Sequence, residues 1–125
     1  MEDIQSKEDL RRLVEAFYTK ARKDGLIGDF FEKVVEIDWE EHLDKITDFW
    51  ETILFEKVTY QGNPMKHHLH LHSLRKMKQE HFNQWLHLFS ETVDELFKGE
   101  KAHLIKTRAL SISTMIHIKT IQEGE

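Results

Sequence analysis

The chain has 125 residues, of which 39% are hydrophobic and 33% are charged, with a formal net charge of −5. A chain of this length buries most of its surface around one core, which argues against disorder and against a second domain. The absence of cysteine excludes disulfide frameworks, thiolate catalysis and cysteine-ligated metal sites. We therefore expect one domain over residues 1–125, in which any metal is held by histidine or carboxylate.

The first half of the chain predicts two long helices. Ser6 and Asp9 are typical of a helix start, and Asp24 and Gly25 of its end. The segment 27–31 predicts a turn or short helical piece, and Asp38 predicts the cap of the second helix. Apolar residues recur at helical spacing in both helices: Leu10, Leu13, Val14, Phe17, Tyr18 and Ala21 in the first, and Trp39, His42, Leu43, Ile46, Phe49, Trp50, Ile53 and Leu54 in the second.

A strong break at residues 60–64 opens the second half of the chain. Gly62 and Asn63 permit a turn, and Pro64 suits the first position of a new, short helix. A third long helix runs to Gly99, and a fourth starts near Glu100 with an inner face of Ala102, Ile105, Ala109, Ile112, Ile116 and Lys119. The pattern predicts an all-α fold with four long or moderate helices and two short ones.

Charge and hydropathy bear on possible partners. The longest runs without Asp, Glu, Lys or Arg are 10 residues, about half the ~20 needed to cross a bilayer. No secretory signal is recognisable, so we expect a cytoplasmic protein without a membrane span. Residues 1–60 carry a net charge of −7 and residues 61–125 carry +2, and no acidic residue lies between Lys57 and Gln79. A small anionic ligand suits this amount of charge better than a nucleic acid does.

Histidine is abundant, with 9 residues, of which four lie in the segment His67–His72. His68 and His72 have the spacing of two zinc ligands on a helix, but Leu69 replaces the general-base Glu of a zincin. A di-iron site needs two Glu-x-x-His motifs, and Glu100 with His103 supplies one. An axial haem ligand needs a single imidazole in an apolar, aromatic slot. A solvated histidine cluster is the common alternative, and the cluster alone does not decide among these interpretations.

Polar groups on the apolar stripes of the helices also indicate a functional site in the interior. Tyr18, His42 and Trp85 bring a phenol, an imidazole and an indole from three helices to an otherwise apolar interior. Each of them alone is more often a packing residue than a functional one. Together they exceed what a purely structural core tends to contain.

Several short motifs, in this order and spacing, resemble those of the group III truncated haemoglobins over residues 4 to 120. They are Phe17-Tyr18, Ile27-Gly28-Asp29-Phe30-Phe31, Trp39-x-x-His42-Leu43, Phe49-Trp50, Tyr60-x-Gly62-x-Pro64 and His81-Phe82-x-x-Trp85-Leu86. The resemblance implies a truncated globin, a two-over-two helical sandwich around haem b. It assigns the proximal iron ligand to His68, four residues after Pro64, with His72 as the rival.

The resemblance also implies the surroundings of the haem. Tyr18 and Trp85 become the distal hydrogen-bonding pair, and His42 the distal-helix histidine. Phe31, Ile46 and Phe49 line the pocket. Candidates for contacts with the haem propionates are Lys45, Lys66 and His67.

The implied function is reversible, high-affinity binding of O2, NO or another diatomic ligand. Tight binding favours NO or O2 chemistry over bulk transport, and NO dioxygenase or peroxidase-like turnover would require an electron-donor reductase as partner. The competing hypothesis is a non-haem helical module that binds a metal or a partner through the His67–His72 cluster.

Overall fold

The computed structural model describes residues 1–34, 36–57, 60, 62, 68, 70–72 and 75–123. These residues form four long α-helices: α1 (Lys7–Lys23), α2 (Trp39–Phe55), α3 (Gln79–Leu96) and α4 (Glu100–Glu123). A π-helical turn at Phe30–Val34 lies between α1 and α2. Residues 68 and 70–72 are also helical, and this described part of the chain contains no strand. The predicted all-α fold is confirmed.

Local hydrogen bonds explain where the helices begin. The Ser6 hydroxyl accepts a hydrogen bond from the Asp9 backbone N–H at 3.3 Å, and the Asp38 carboxylate accepts one from Glu41 N–H at 3.3 Å. Each cap satisfies an N–H that has no partner within its helix. The two predicted helix starts are therefore confirmed.

The helices pack as two layers of two. Helix α1 packs against α2 and α3, and α4 packs against α3 and α2. The centre of the core consists of fully buried side chains from all four helices, among them Leu13, Phe17, Leu54, Phe89, Val93 and Ile105. This arrangement gives the two-over-two sandwich of a truncated globin.

The loop after α1 holds the π-helical turn close to that helix. The Asp24 carboxylate accepts hydrogen bonds from the N–H groups of Leu26 and Ile27 at 2.9 and 3.0 Å, and from the Gln84 side chain at 2.8 Å. A Cβ on Gly28 would lie 2.7 Å from the carbonyl oxygen of Arg22. Glycine is therefore needed for the chain to pass so close to the end of α1.

The inner face of α4 differs from the prediction at three residues. Ser113 and Thr120 are buried together with Ala109 and Ile116, whereas Lys119 is exposed. Steps of three and four residues carry the buried stripe from 109 through 113 and 116 to 120, which turns position 119 toward solvent. The placement of Lys119 on the inner face was wrong.

Candidate functional site

Four rings from three elements form the cluster to which most of the predicted distal residues belong. Tyr18 of α1, Phe31 of the π-helical turn, and Trp39 and His42 of α2 make up this four-ring cluster. The centroid of Tyr18 lies 5.1 Å from that of His42, 5.4 Å from Trp39 and 5.5 Å from Phe31. Trp39 and His42 are 5.5 Å apart with perpendicular planes. Such edge-to-face pairs stabilise the contact between α1 and α2 beyond the burial of area alone.

The Tyr18 hydroxyl is the polar group of this cluster with the most distinctive environment. Tyr18 is 8% exposed, and burial raises the pKa of its phenol well above the usual value. The group is therefore protonated at neutral pH and able to donate. Within the described part of the chain, no side chain or backbone group hydrogen-bonds to it. The side chain is buried, while its hydroxyl keeps a donor that no described group uses, so the environment fits a polar ligand.

Trp85 and Tyr18 both contact the ring of Phe17. The Phe17 centroid is 5.0 Å from Tyr18 and 5.6 Å from Trp85. Trp85 also stacks on Phe89, with centroids 5.4 Å apart and planes within 3°. The structure thus links the predicted distal pair through a shared phenylalanine.

The predicted lining residues of α2 occupy a different position along that helix. Ile46 and Phe49 are half-buried, and the Phe49 ring contacts Trp50 and Tyr60 at 5.1 and 5.3 Å. Lys45 is exposed, and its ammonium lies 2.9 Å from the Glu41 carboxylate. Apolar side chains therefore face inward beside a cation at the surface.

His68 and His72 lie on the helical segment that follows the break. Both are half-buried, and Leu71 between them packs against the hydrophobic core. The Nδ1 atom of His72 accepts a hydrogen bond from the Met77 backbone N–H at 3.0 Å. Lys66 and His67, together with Pro64, lie outside the described residues.

Comparisons with known proteins decide the family. A model of the bacterial-like globin family matches residues 1–119. The chain belongs to this family. The globin is 35% identical to the group 3 truncated hemoglobin ctb of Campylobacter jejuni over 112 aligned residues. The aligned region covers 87% of this chain and 86% of that protein. The crystal structure of a group III truncated hemoglobin from Campylobacter jejuni superposes with a TM-score of 0.83 at 33% identity, covering 96% of this globin and 95% of that chain.

These findings confirm the resemblance to group III truncated haemoglobins. Haem-based ligand binding follows as the general function of this globin. None of the described helices is long and apolar enough to span a bilayer. In the same part of the chain, no three or more His, Asp or Glu side chains are grouped so as to hold a metal ion among themselves.

Trp39 belongs to the site, although its sequence pattern indicated only a place on the apolar stripe of α2 and in a motif shared with His42. Its ring contacts Tyr18, Phe31 and His42, and the Arg22 guanidinium lies over it at 4.2 Å from the ring centroid. Arg22 also pairs with Glu32 of the π-helical turn. The signal was the spacing of Trp39 and His42, because residues three apart share one face of a helix.

Proposed function

We propose that this globin binds haem b through His68 and takes up O2 or another diatomic ligand beside Tyr18, His42 and Trp85. The observation that carries the proposal is the protonated Tyr18 phenol, whose buried ring contacts the His42 ring in an otherwise aromatic interior. When bound, haem supplies an iron whose open face takes a diatomic ligand and shifts negative charge onto it. The Tyr18 hydroxyl would donate a hydrogen bond to that charge.

The residues fit a haem. The four-ring cluster and the Phe17, Trp85 and Phe89 rings are flat apolar surfaces, and Tyr18 places a donor without a described partner among them. His68 supplies an imidazole of the kind that ligates haem iron in globins. This donor set, one nitrogen ligand with distal hydrogen-bond donors, suits haem better than a metal that needs three or four protein ligands.

The His72 ring already has a structural role in the described part of the chain. A nitrogen that accepts a hydrogen bond from a backbone N–H must carry the ring's lone pair, so Nδ1 of His72 is unprotonated. In a neutral imidazole the proton then sits on Nε2, which has no lone pair left for a metal. His72 as it stands holds the Met77 backbone and would have to release it to bind iron.

The remaining proposed contacts with the haem involve residues on and near α2. Phe31, Ile46 and Phe49 offer apolar surface to the macrocycle. Lys45, Lys66 and His67 are proposed to contact the propionates. The Lys45 ion pair with Glu41 is solvent-exposed and therefore weak, so its ammonium can exchange that carboxylate for a propionate.

Up to three donors around one ligand favour slow release and high affinity. The phenol of Tyr18 and the indole of Trp85 each add a hydrogen bond worth ~1 kcal/mol net, which slows dissociation about fivefold per bond. His42 adds a third polar group at ring-contact distance from Tyr18. Such retention suits NO or O2 chemistry more than bulk transport. Repeated turnover would need an external electron-donor reductase.

Absorption spectroscopy of the haem-supplemented protein tests the iron ligand. We expect a Soret band that is lost in His68→Ala and kept in His72→Ala. Loss of the band in His72→Ala alone would move the ligand to His72. A protein that stays colourless when haem is supplied would instead favour a non-haem module based on the His67–His72 cluster.

Ligand-release kinetics test the distal donors. Tyr18→Phe removes one oxygen atom from the four-ring cluster, and we expect O2 dissociation to become at least fivefold faster, because a single hydrogen bond is lost. Tyr60→Phe is the matched control, since Tyr60 contacts Phe49 and lies outside the four-ring cluster. Equal rates in the wild type and in Tyr18→Phe would remove Tyr18 from the ligand contact.

A further inference from the structure

Helix α4 has apolar residues on two opposite faces. One face is buried in the core through Ala102, Ile105, Ala109 and Ile116. On the opposite side, four large apolar side chains are about half exposed: Leu110 at 52%, Met115 at 59%, Ile118 at 50% and Ile121 at 50%. A monomeric protein rarely presents so many aligned apolar side chains to water without a use for them.

These side chains form one continuous stripe, which we name the outer face of α4: Thr107, Leu110, Ser111, Thr114, Met115, Ile118 and Ile121. At 100° per residue they fall within an arc of about 140°, and at 1.5 Å per residue they extend over about 21 Å. No charged residue belongs to this stripe. The outer face is thus a convex, uncharged strip along the whole second half of the helix.

The three hydroxyl residues of the stripe do not make it polar. Thr107, Ser111 and Thr114 each donate a hydrogen bond to the backbone carbonyl four residues earlier, at 3.1, 3.3 and 2.9 Å. This pairing satisfies the hydroxyl hydrogens within the helix itself. The outer face therefore needs no water to satisfy these three donors, which suits an apolar environment.

Positive charge borders the outer face on one side. Arg108 and Lys119 are both exposed, and neither forms an ion pair with a described residue. Over its length α4 carries Lys and Arg at four positions against Glu100 and Glu123 at its two ends, although the whole protein has a net charge of −5. On the other side Lys106 pairs with Asp94 of α3 at 2.6 Å, so the unbalanced charge lies on the side of Arg108 and Lys119.

We propose that the outer face of α4 docks on an anionic lipid surface. An apolar stripe with basic residues at its edge is the pattern of helices that lie in the membrane interface, where apolar groups enter the headgroup region and cations meet lipid phosphates. Arg108 and Lys119 match anionic headgroups in charge, and a deformable headgroup layer can enclose a convex strip. The docking is peripheral, and its occupant is the bilayer surface.

Vesicle binding of the haem-loaded protein tests this proposal. We expect co-sedimentation with vesicles of phosphatidylcholine containing 30% phosphatidylglycerol, little with pure phosphatidylcholine, and weakening when salt rises from 50 to 500 mM. The double variant Arg108→Glu/Lys119→Glu should lower the partition coefficient about tenfold or more. Its control, Lys23→Glu/Lys98→Glu, makes the same change of charge at exposed positions elsewhere.

The apolar contribution is tested separately. Leu110→Gln/Ile118→Gln keeps good helix formers at exposed positions, so circular dichroism should stay unchanged while vesicle binding falls. Leu26→Gln, at a side chain that is 40% exposed in the loop after α1, is the control. Absence of binding to anionic vesicles at low salt would overturn the proposal. So would binding that both face variants retain, or sedimentation showing that the face instead pairs two copies of the chain.

Discussion

The carboxylate of Asp3, near the start of the chain, caps the N-terminus of α4. Replacing Asp3 tests how much this contact contributes to the stability of the fold. Asp3 accepts hydrogen bonds from the N–H groups of Lys101 and Ala102, each at 2.8 Å, and from its neighbour Ile4 at 2.9 Å. Gly99 permits the approach, because it has a φ of 148° and a Cβ there would meet the Asp3 side chain at 2.5 Å. The Asp3 side chain therefore caps the N-terminus of α4 from 98 residues away in sequence.

The expected cost of Asp3→Ala follows from these bonds. Loss of an N-cap costs typically ~1 kcal/mol, and loss of an anion at a helix N-terminus adds up to about 1 kcal/mol. We expect the free energy of unfolding to fall by about 2 kcal/mol and the melting temperature by about 8 °C for a domain of this size. Asp3→Asn, which keeps one oxygen acceptor, should lose about half as much.

The pH dependence identifies the charged cap. Burial favours a higher pKa for Asp3, but the hydrogen bonds from Lys101, Ala102 and Ile4 outweigh it and lower the pKa below 3.8. The stabilisation is therefore complete above pH 4 and is lost as pH falls through the lowered pKa. Urea unfolding followed by circular dichroism at pH 7 and pH 2.5 measures both effects.

Glu2→Ala is the matched control for Asp3→Ala. Glu2 is exposed, and its backbone carbonyl, which the substitution preserves, accepts the hydrogen bond from Lys98 at 3.0 Å. A loss in Asp3→Ala below 0.5 kcal/mol, or a difference from wild type that stays constant down to pH 2.5, would refute the capping argument.

Three further predictions concern the core and the loops. Phe89→Ala should lower the free energy of unfolding, measured in urea, by about 3–5 kcal/mol, because this 1% exposed ring stacks on both Trp50 and Trp85. A loss under about 1.5 kcal/mol would contradict that packing. Gly28→Ala should lower the free energy of unfolding by about 1–3 kcal/mol, because the new Cβ would meet the Arg22 carbonyl oxygen. The control is Gly25→Ala, whose Cβ would meet nothing within 4 Å. A melting temperature that falls more in Gly25→Ala than in Gly28→Ala would contradict the close approach to Arg22. Burial is the main cause that lowers the pKa of His81 below 6.5; Glu80 opposes this shift, and the cations Lys78 and Arg75 add to it. The neutral form of His81 therefore stabilises the fold above pH 6.5, and this stability is lost as pH falls through the lowered pKa. His81→Gln should flatten the fall in unfolding free energy between pH 7.5 and 5.5 more than the control variant His103→Gln, at an exposed histidine, does.

Features set by neighbouring residues could be predicted from the sequence. The caps at Ser6 and Asp38 depend on a side chain and an N–H three positions away, and both are confirmed. The buried stripe of α1 likewise follows from one amphipathic period, since its six predicted apolar residues are all buried. Local chemistry and helical spacing were sufficient for these elements.

Features that depend on contacts between distant segments could not be predicted in the same way. Lys119 was misplaced because α4 is apolar on two faces, so that its sequence has no single periodicity from which the inner face can be deduced. The role of Asp3 as a cap requires the first residues to meet residues 101 and 102. The hydrogen bond from Met77 to His72, which bears on the choice of iron ligand, becomes visible only when the loop is in place.

The two sides of the proposed haem site depend on different parts of the chain. The distal side is built by local contacts, since Arg22 at the end of α1 covers Trp39 and pairs with Glu32, while Gly28 lets the π-helical turn approach. The proximal side rests on the short segment that carries His68, packed on the core through Leu71. A ligand that binds the folded state alone adds stability by mass action, so haem bound at His68 would stabilise the proximal side most. The distal cluster, by contrast, holds its rings together through contacts within the protein.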